Sequence, residues 1–502
     1  MKAINKDILK LAIPSILANI TVPLVGMVDI AVAGHLDVNA ATMIGGIAIG
    51  SMLFDLLYWN FGFLRVGTGG LAAQAYGRGD MRECARIFVR AVGIALACAF
   101  LLIAIQWVFV KASFLVVDCT PEVRDLASKY FFIRIWAAPA TLGLMAFKGW
   151  FIGMQDSVSP MVTDLTVNGM NVLMSVVLAL GIKPLGFEGL GFAGIAAGTV
   201  VAQYSGLLAA VLQMLFKYRK ITLAALRPED LRDVFKGSET RRFFVMNTDL
   251  FVRSLCFIAI YIGFTVISAR YGDLLLAVSS IMMKLLMIFS YFTDGFAYAG
   301  EAMTGKYIGA RDGQMLRQTV RWIFVWSMGI AVIFMGIYHF AGVPMLRLMT
   351  SDPLVVDASR EYIPWLLLMP VIGCAAFTWD GIYIGATASK AIRNSMLWAV
   401  VGFAAVWFIG ILCLNHFMPS SSTDPSSAVT ATRYGYLAMH ILMAAYFAHL
   451  LDENCTLQRV DTNRKVVKRN LYDVLAHLFR VIGIVGKSLC VGNHDENLVI
   501  YA

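Results

Sequence analysis

Along this chain, long apolar runs alternate with short polar connections, and the runs are too long for strands or for the core helices of a soluble domain. A helix needs about 20 apolar residues to cross the hydrocarbon of a bilayer. Twelve stretches meet that length: 8–34, 40–67, 83–112, 124–153, 158–182, 190–217, 241–268, 273–303, 319–345, 355–385, 394–418 and 433–451. The pattern predicts an all-α integral membrane protein with twelve transmembrane helices. The polar connection 218–240 separates two six-helix lobes, 1–217 and 241–451, and a polar tail, 452–502, follows them. A Ser/Pro-rich stretch, 419–427, reads as a flexible outer loop.

The two lobes share a register. An offset of 232 residues pairs Pro121 with Pro353, Val123 with Val355, Asp125 with Asp357 and Tyr130 with Tyr362. The same offset pairs Gly149 with Gly381, Ile152 with Ile384, Gly153 with Gly385, Gly77 with Gly309 and Asp80 with Asp312. Pro, Asp, Tyr and Gly at element ends mark a repeat more firmly than Leu or Val would. Six spans per repeat leave both halves pointing the same way, so they are related by a pseudo-two-fold along the membrane normal. This is transporter architecture, with alternating access about a central cavity.

Composition agrees: 59% of residues are hydrophobic, 15% are charged and mean hydropathy is +0.73. The basic residues are one-sided. Lys2, Lys6 and Lys10, then Arg78, Arg82, Arg86 and Arg90, then Lys217 to Arg242, then Lys306, Arg311, Arg317 and Arg321, then Lys390 and Arg393 share one side. Such residues resist translocation, so both termini are expected in the cytoplasm, as a multi-pass protein of a bacterial inner membrane. This asymmetry accounts for the net charge of +9 without a nucleic-acid partner. No nucleophile elbow, metal-ligand spacing or phosphate loop stands out, so no enzyme, metal or cofactor is expected. The cysteines read as buried apolar residues, and Trp107, Trp136, Trp150, Trp322, Trp365 and Trp379 as an interfacial belt.

Charges inside the spans carry the candidate chemistry, because a charge at that depth costs several kcal/mol unless paired, protonated or wet. Asp29, in the first span, has no basic residue within a turn on its own helix. It reads as a carboxyl that takes a proton on one side and releases it on the other, with Pro23 as a bending point linked to that event. Asn168, Asn171 and Ser175 share a face of the fifth span, and Thr199 lies in the sixth. This polar stripe suits either proton or ion coordination or helix-to-helix adhesion. Asp55 and Asp164 are further acids of the first lobe, with Arg65 and Arg134 as available partners. In the second lobe, Asp249, Arg253, Lys284, Asp294, Glu301 and Asp380 are secondary candidates. Asp249 and Arg253 have the spacing of a same-helix ion pair, Glu301 and Lys306 can snorkel at a helix end, and Asp380 has Lys390 and Arg393 nearby.

Ala12 to Leu36, Gly69 to Gly77, Asp294 to Ala302, Gly309 to Gly313 and Asp380 to Thr387 resemble the multidrug and toxic compound extrusion (MATE) transporters, in their DinF-like branch. The resemblance covers residues 8 to 450 and leaves the tail uncovered. It implies two six-helix bundles, export of small cationic or amphipathic organic compounds, and coupling to inward proton or sodium flow. A monomer in the lipid bilayer is expected. The family's ion site carries over to Asp29, Asn171 and Thr199, but its second acid falls on Ser175 here. One missing carboxylate weakens a sodium site and favours protons, with Asp29 as the titrating group. A lipid-linked precursor or oligosaccharide flippase of the same superfamily is the alternative, kept open by Arg65, Arg134, Arg253 and Lys284.

Overall fold

The computed structural model describes residues 2–36, 40–115, 117, 119–181, 188–219, 221, 238–270 and 272–417. The regular structure among them is helical. In chain order the first half holds α1 (Lys2–Gly34), α2 (Ala40–Trp59), α3 (Phe63–Gly77), α4 (Met81–Ser113), α5 (Pro121–Arg134), α6 (Ala138–Gly153), α7 (Val158–Leu180) and α8 (Phe192–Lys217). The second holds α9 (Ser238–Arg270), α10 (Asp273–Gly309), α11 (Gly313–Met349), α12 (Pro353–Arg360), α13 (Ile363–Gly385) and α14 (Ser389–Phe417). Among the described residues, ten spans have the length and hydropathy to cross a membrane, and α14 occupies the eleventh run of the sequence. The twelfth run, the 419–427 loop, the tail and most of the 218–240 connection lie outside the described residues.

Among the described residues, three of the runs are jointed rather than continuous. A 3₁₀ turn at Asn60–Gly62 links α2 to α3, another at Ile135–Ala137 links α5 to α6, and α12 stops before α13. Proline sits in the first turn of α6 and of α13, where its missing N–H leaves no bond unmade. At the first joint, Asn60 Nδ2 donates to the Leu56 carbonyl at 2.6 Å. The first helix behaves differently: α1 runs through Pro14 and Pro23 as one helix.

The repeat read from the sequence is also a repeat of backbone geometry. Asp80 caps α4 by accepting from Glu83 N at 3.0 Å, and Asp312 caps α11 by accepting from Met315 N at 3.0 Å. Thr120 and Asp352 cap α5 and α12, each followed by proline. Left-handed backbone recurs at the same register: Gly79 with Arg311 (φ 74° and 56°), and Gln155 with Thr387 (φ 63° and 55°). Such a conformation costs a non-glycine residue on the order of 1 kcal/mol, so its recurrence points to a shared constraint. Both polar residues use the turn to reach the other half. Gln155 Nε2 donates to the Ala302 carbonyl at 2.7 Å, and Thr387 Oγ1 accepts from Gln74 Nε2 at 3.1 Å.

Between the halves, α3 and α10 pack against each other along a seam of small residues. A Cβ on Gly77 would collide with the Lys306 carbonyl oxygen, and one on Gly309 with that of Gln74. Within each half the same pattern seats α6 on α3 and α13 on α10: Gly149 lies against Arg65 O, and Gly381 against Ala297 O. Small side chains let membrane helices approach to this distance, where dispersion and weak polar contacts hold them. The seam lies at the end of the bundle that carries Arg78, Arg82, Arg311 and Arg317, here called the basic end.

The expected tryptophan belt is only partly present. Trp107 and Trp136 are exposed, whereas Trp150 and Trp379 are core residues. Trp150 is held inward by donating Nε1–H to the Cys84 carbonyl at 2.8 Å, a partner that lipid could not supply.

Candidate coupling site and the buried charges

Three helices of the first half build the site around Asp29. Gly198 on α8 lies so close to α7 that a Cβ there would stand 2.6 Å from Ser175 N. That approach brings Thr199 beside Asn171 and Ser175, while α1 packs on α7 from the other side. Ser175 Oγ donates to Asp29 Oδ1 at 2.9 Å. Asn171 Nδ2 donates to Thr199 Oγ1 at 3.0 Å, and the threonine hydroxyl donates to Ile195 O at 3.4 Å. Asp29, Asn171, Ser175 and Thr199 are all buried. Asn171 Oδ1 is buried with no hydrogen-bond partner.

Asn168 takes a different position. It donates to Thr21 Oγ1, which itself donates to Ala18 O at 2.7 Å. The residue therefore ties α7 to α1 beside Pro23, more than two turns from Asp29 along the first helix. Asp164 is engaged as well, in an ion pair with Lys148 of α6.

Among the described residues, no Lys or Arg makes an ion pair with Asp29. The nearest cationic influence is Arg134 of α5, which lies within electrostatic reach of both Asp29 and Asp55. Its guanidinium is occupied locally, donating to Tyr130 Oη at 3.0 Å and stacking 4.8 Å from the Phe54 ring centre. Arg134 was available in the sequence as a cation, but its reach to Asp29 was not, because α5 and α1 are far apart along the chain.

The second-half charges pair across helices, which corrects three readings of the sequence. Asp249 does not pair with Arg253; it accepts from Arg393 Nη1 at 2.6 Å and from Ser389 Oγ at 2.7 Å. Arg253 instead reaches Asp380 at 2.6 Å, so Lys390 and Arg393 are not the partners of Asp380. The reason is geometric. Side chains four apart must lean along one helix to meet, whereas α13 and α14 present their partners directly to the α9 face. Glu301 does not snorkel: its side chain is 0% exposed, more than two turns inside the end of α10, and Arg65 Nη1 meets its Oε2 at 3.2 Å. Asp294 is partly buried and within electrostatic reach of Arg65 and Arg253. Lys284 and Asp55 are exposed and within reach of each other.

One polar cluster lies outside the spans. Asp156, between α6 and α7, accepts from Ser159 N at 3.2 Å, Ser159 Oγ at 2.6 Å, Lys217 Nζ at 2.6 Å and Tyr218 Oη at 2.8 Å. Burial alone would raise this carboxyl, but the four donors outweigh it and hold it below the usual carboxylate range. Burial, then the Asp156 charge, pushes the Tyr218 hydroxyl up.

The model of the MatE family matches residues 14–177 and again residues 250–406, one match in each half. The chain belongs to the MatE family. The DNA damage-inducible protein F of Escherichia coli K12 is 35% identical over 80% of this chain and 84% of its own length. A probable multidrug resistance protein NorM of Photorhabdus laumondii is 24% identical over 81% of this chain and 86% of its own. Among solved structures, a MOP-superfamily transporter from Pyrococcus furiosus superposes with a TM-score of 0.77 at 15% identity, covering 92% of this chain and 97% of that one. MatE membership makes this multi-pass membrane protein a transporter rather than an enzyme, and its relatives include probable multidrug resistance proteins.

Proposed function

We propose that the chain exports small cationic or amphipathic compounds by alternating access, driven by protons that enter through Asp29. The basic end then faces the cytoplasm of a bacterial inner membrane, following the placement of Lys and Arg. The observation that carries this reading is the environment of Asp29. Four other acids of the spans, Asp164, Asp249, Glu301 and Asp380, hold Lys or Arg partners, while Asp29 is buried with a neutral hydroxyl as its donor. A carboxyl without a fixed counter-charge can change its protonation state without breaking an ion pair. Protonation removes the charge that α1 must keep facing polar partners, and the missing backbone bond at Pro23 gives that helix a place to bend.

A sodium-driven variant has one observation in its favour, the unpaired Asn171 Oδ1 beside a carboxylate and two hydroxyls. Hard cations seek such oxygens. A flippase for lipid-linked precursors with anionic headgroups has less support, because Arg65 and Arg253 are already neutralised by Glu301 and Asp380.

Proteoliposomes distinguish these readings. Dye efflux driven by a pH gradient in sodium-free buffer is expected for the wild type and is expected to vanish in Asp29→Asn. Efflux that requires sodium, or an Asn variant that transports normally, overturns proton entry at Asp29.

A further inference from the structure

Where the α3–α10 seam runs up from the basic end, it meets a buried ion pair between the two halves. Arg65 of α3 and Glu301 of α10 stand 3.2 Å apart, with side chains 19% and 0% exposed. The position is singular in the repeat. Glu301 is the counterpart of Gly69, and its Oε1 lies where a Cβ of Gly69 would be, with Glu301 Cδ 3.1 Å from that point. That oxygen is buried and has no hydrogen-bond partner. One carboxylate thus crosses the pseudo-two-fold into space that its glycine counterpart leaves open.

The surrounding groups make the pair convertible. Arg65 lies over the Tyr298 ring at 4.4 Å and feels a second carboxylate, Asp294, two turns from Glu301 along α10. From α13 and α9, Asp380 and Arg253 face Glu301 as an already closed pair. Asp164, with Lys148, approaches Tyr298 from α7 and α6. On the remaining sides α1 and α11 present Ala12, Ile16 and Ile323 to this stretch of α10. If Glu301 becomes neutral, Arg65 keeps Asp294 as a counter-charge nearer the opposite end of the bundle. The neutral cross-half bonds around it, Gln74 to Gly385 O at 3.0 Å and Gln155 to Ala302 O at 2.7 Å, have no charge to lose.

We propose that Glu301 is a second proton site, and that its ion pair with Arg65 latches the basic end shut until Glu301 takes a proton from the opposite side. The ionised pair holds α3 on α10. Protonation removes its charge-assisted bond, Arg65 turns to Asp294, and the glycine seam is then held by contacts that separate without leaving a charged carboxylate stranded from its partner. Proton entry from outside thereby drives the step that opens the inside, the order an antiporter needs. The inference rests on proton-driven exchange but not on Asp29 as the carrier.

The test reads the distance between spin labels on Arg82→Cys and Gln314→Cys, exposed equivalent positions on α4 and α11. The labelled chain has its other cysteines replaced by alanine, and it is measured in nanodiscs from pH 8 to pH 5. A longer-distance population is expected to grow on acidification, by up to about ten-fold per pH unit for one proton. The same growth is expected in an Asp29→Asn background. Glu301→Gln and Arg65→Gln are expected to show the long distance already at pH 8, with no pH response. A Glu301→Gln chain that behaves as wild type, or an Asp29→Asn chain whose distance ignores pH, overturns the latch. The Asp29→Asn series decides alone if the Glu301 variant does not fold. Loss of gradient-driven efflux in Asp29→Asn is a separate readout, so the latch and the Asp29 reading can fail independently.

Discussion

Gly77 and Gly309 occupy the same place in the two repeats, and each lies against a backbone carbonyl of the other's helix, Lys306 O for Gly77 and Gln74 O for Gly309. The contact is reciprocal, as at a two-fold interface between identical subunits. A valine at either position would drive a methyl-bearing Cβ into backbone that cannot rotate away. Overpacking of this kind costs about 1–3 kcal/mol, which the protein can relieve by parting α3 from α10. Gly77→Val and Gly309→Val are each expected to bias the basic end open. An added Ala73→Cys should then react with a small maleimide at least several-fold faster than in the parent, and equal rates would show that the seam does not control access.

The cross-helix pairing of Asp249 is open to a direct energetic comparison. Asp249 is 3% exposed and depends on Arg393 and Ser389. Removing one partner of a buried pair strands the other charge, at a cost of about 3–5 kcal/mol. Arg393→Ala is expected to lower thermal stability by that order, measured by melting in detergent. A double-mutant cycle should give a large coupling of Asp249 with Arg393 and a small one with Arg253. The reverse pattern would restore the same-helix pair.

Asp156 supplies a pH dependence with a definite sign. Its folded-state pKa lies below the usual range, so its stabilisation is complete above the unfolded value, roughly 3.9, and is lost as pH falls through the folded value. Melting temperature should therefore hold between pH 8 and pH 5 as far as this group is concerned, then fall in stronger acid. Asp156→Asn removes hydrogen bonds to a charged acceptor, about 1.5–3 kcal/mol. The variant should melt lower at neutral pH and show a smaller decline in acid. Lys217→Met should have a milder effect, because that side chain is 51% exposed.

The large-scale design was legible because hydropathy and proline, aspartate and glycine at helix ends record span length and repeat register directly. The same offset of 232 that pairs Pro121 with Pro353 also pairs the left-handed turns at Gln155 and Thr387. Asn168, Asn171 and Ser175 were legible as one face of a helix because helical spacing sets which side chains align, although the structure turns Asn168 to Thr21 and adds Thr199 from a neighbouring helix. Charge partners were not. Asp249 found Arg393 rather than Arg253, and Glu301 found Arg65, because tertiary approach decides which opposite charge arrives first. Same-helix spacing carries no information about that.

Gly69 and Glu301 stand at one and the same place in a duplicated unit, yet only one of them can carry a side chain, since two would claim a single volume. A perfectly symmetric pair of halves could not hold a carboxylate there. The difference between those two residues is therefore what gives the paired bundle a direction of its own at its centre: one half supplies the acid, the other the cation and the empty space that receives it.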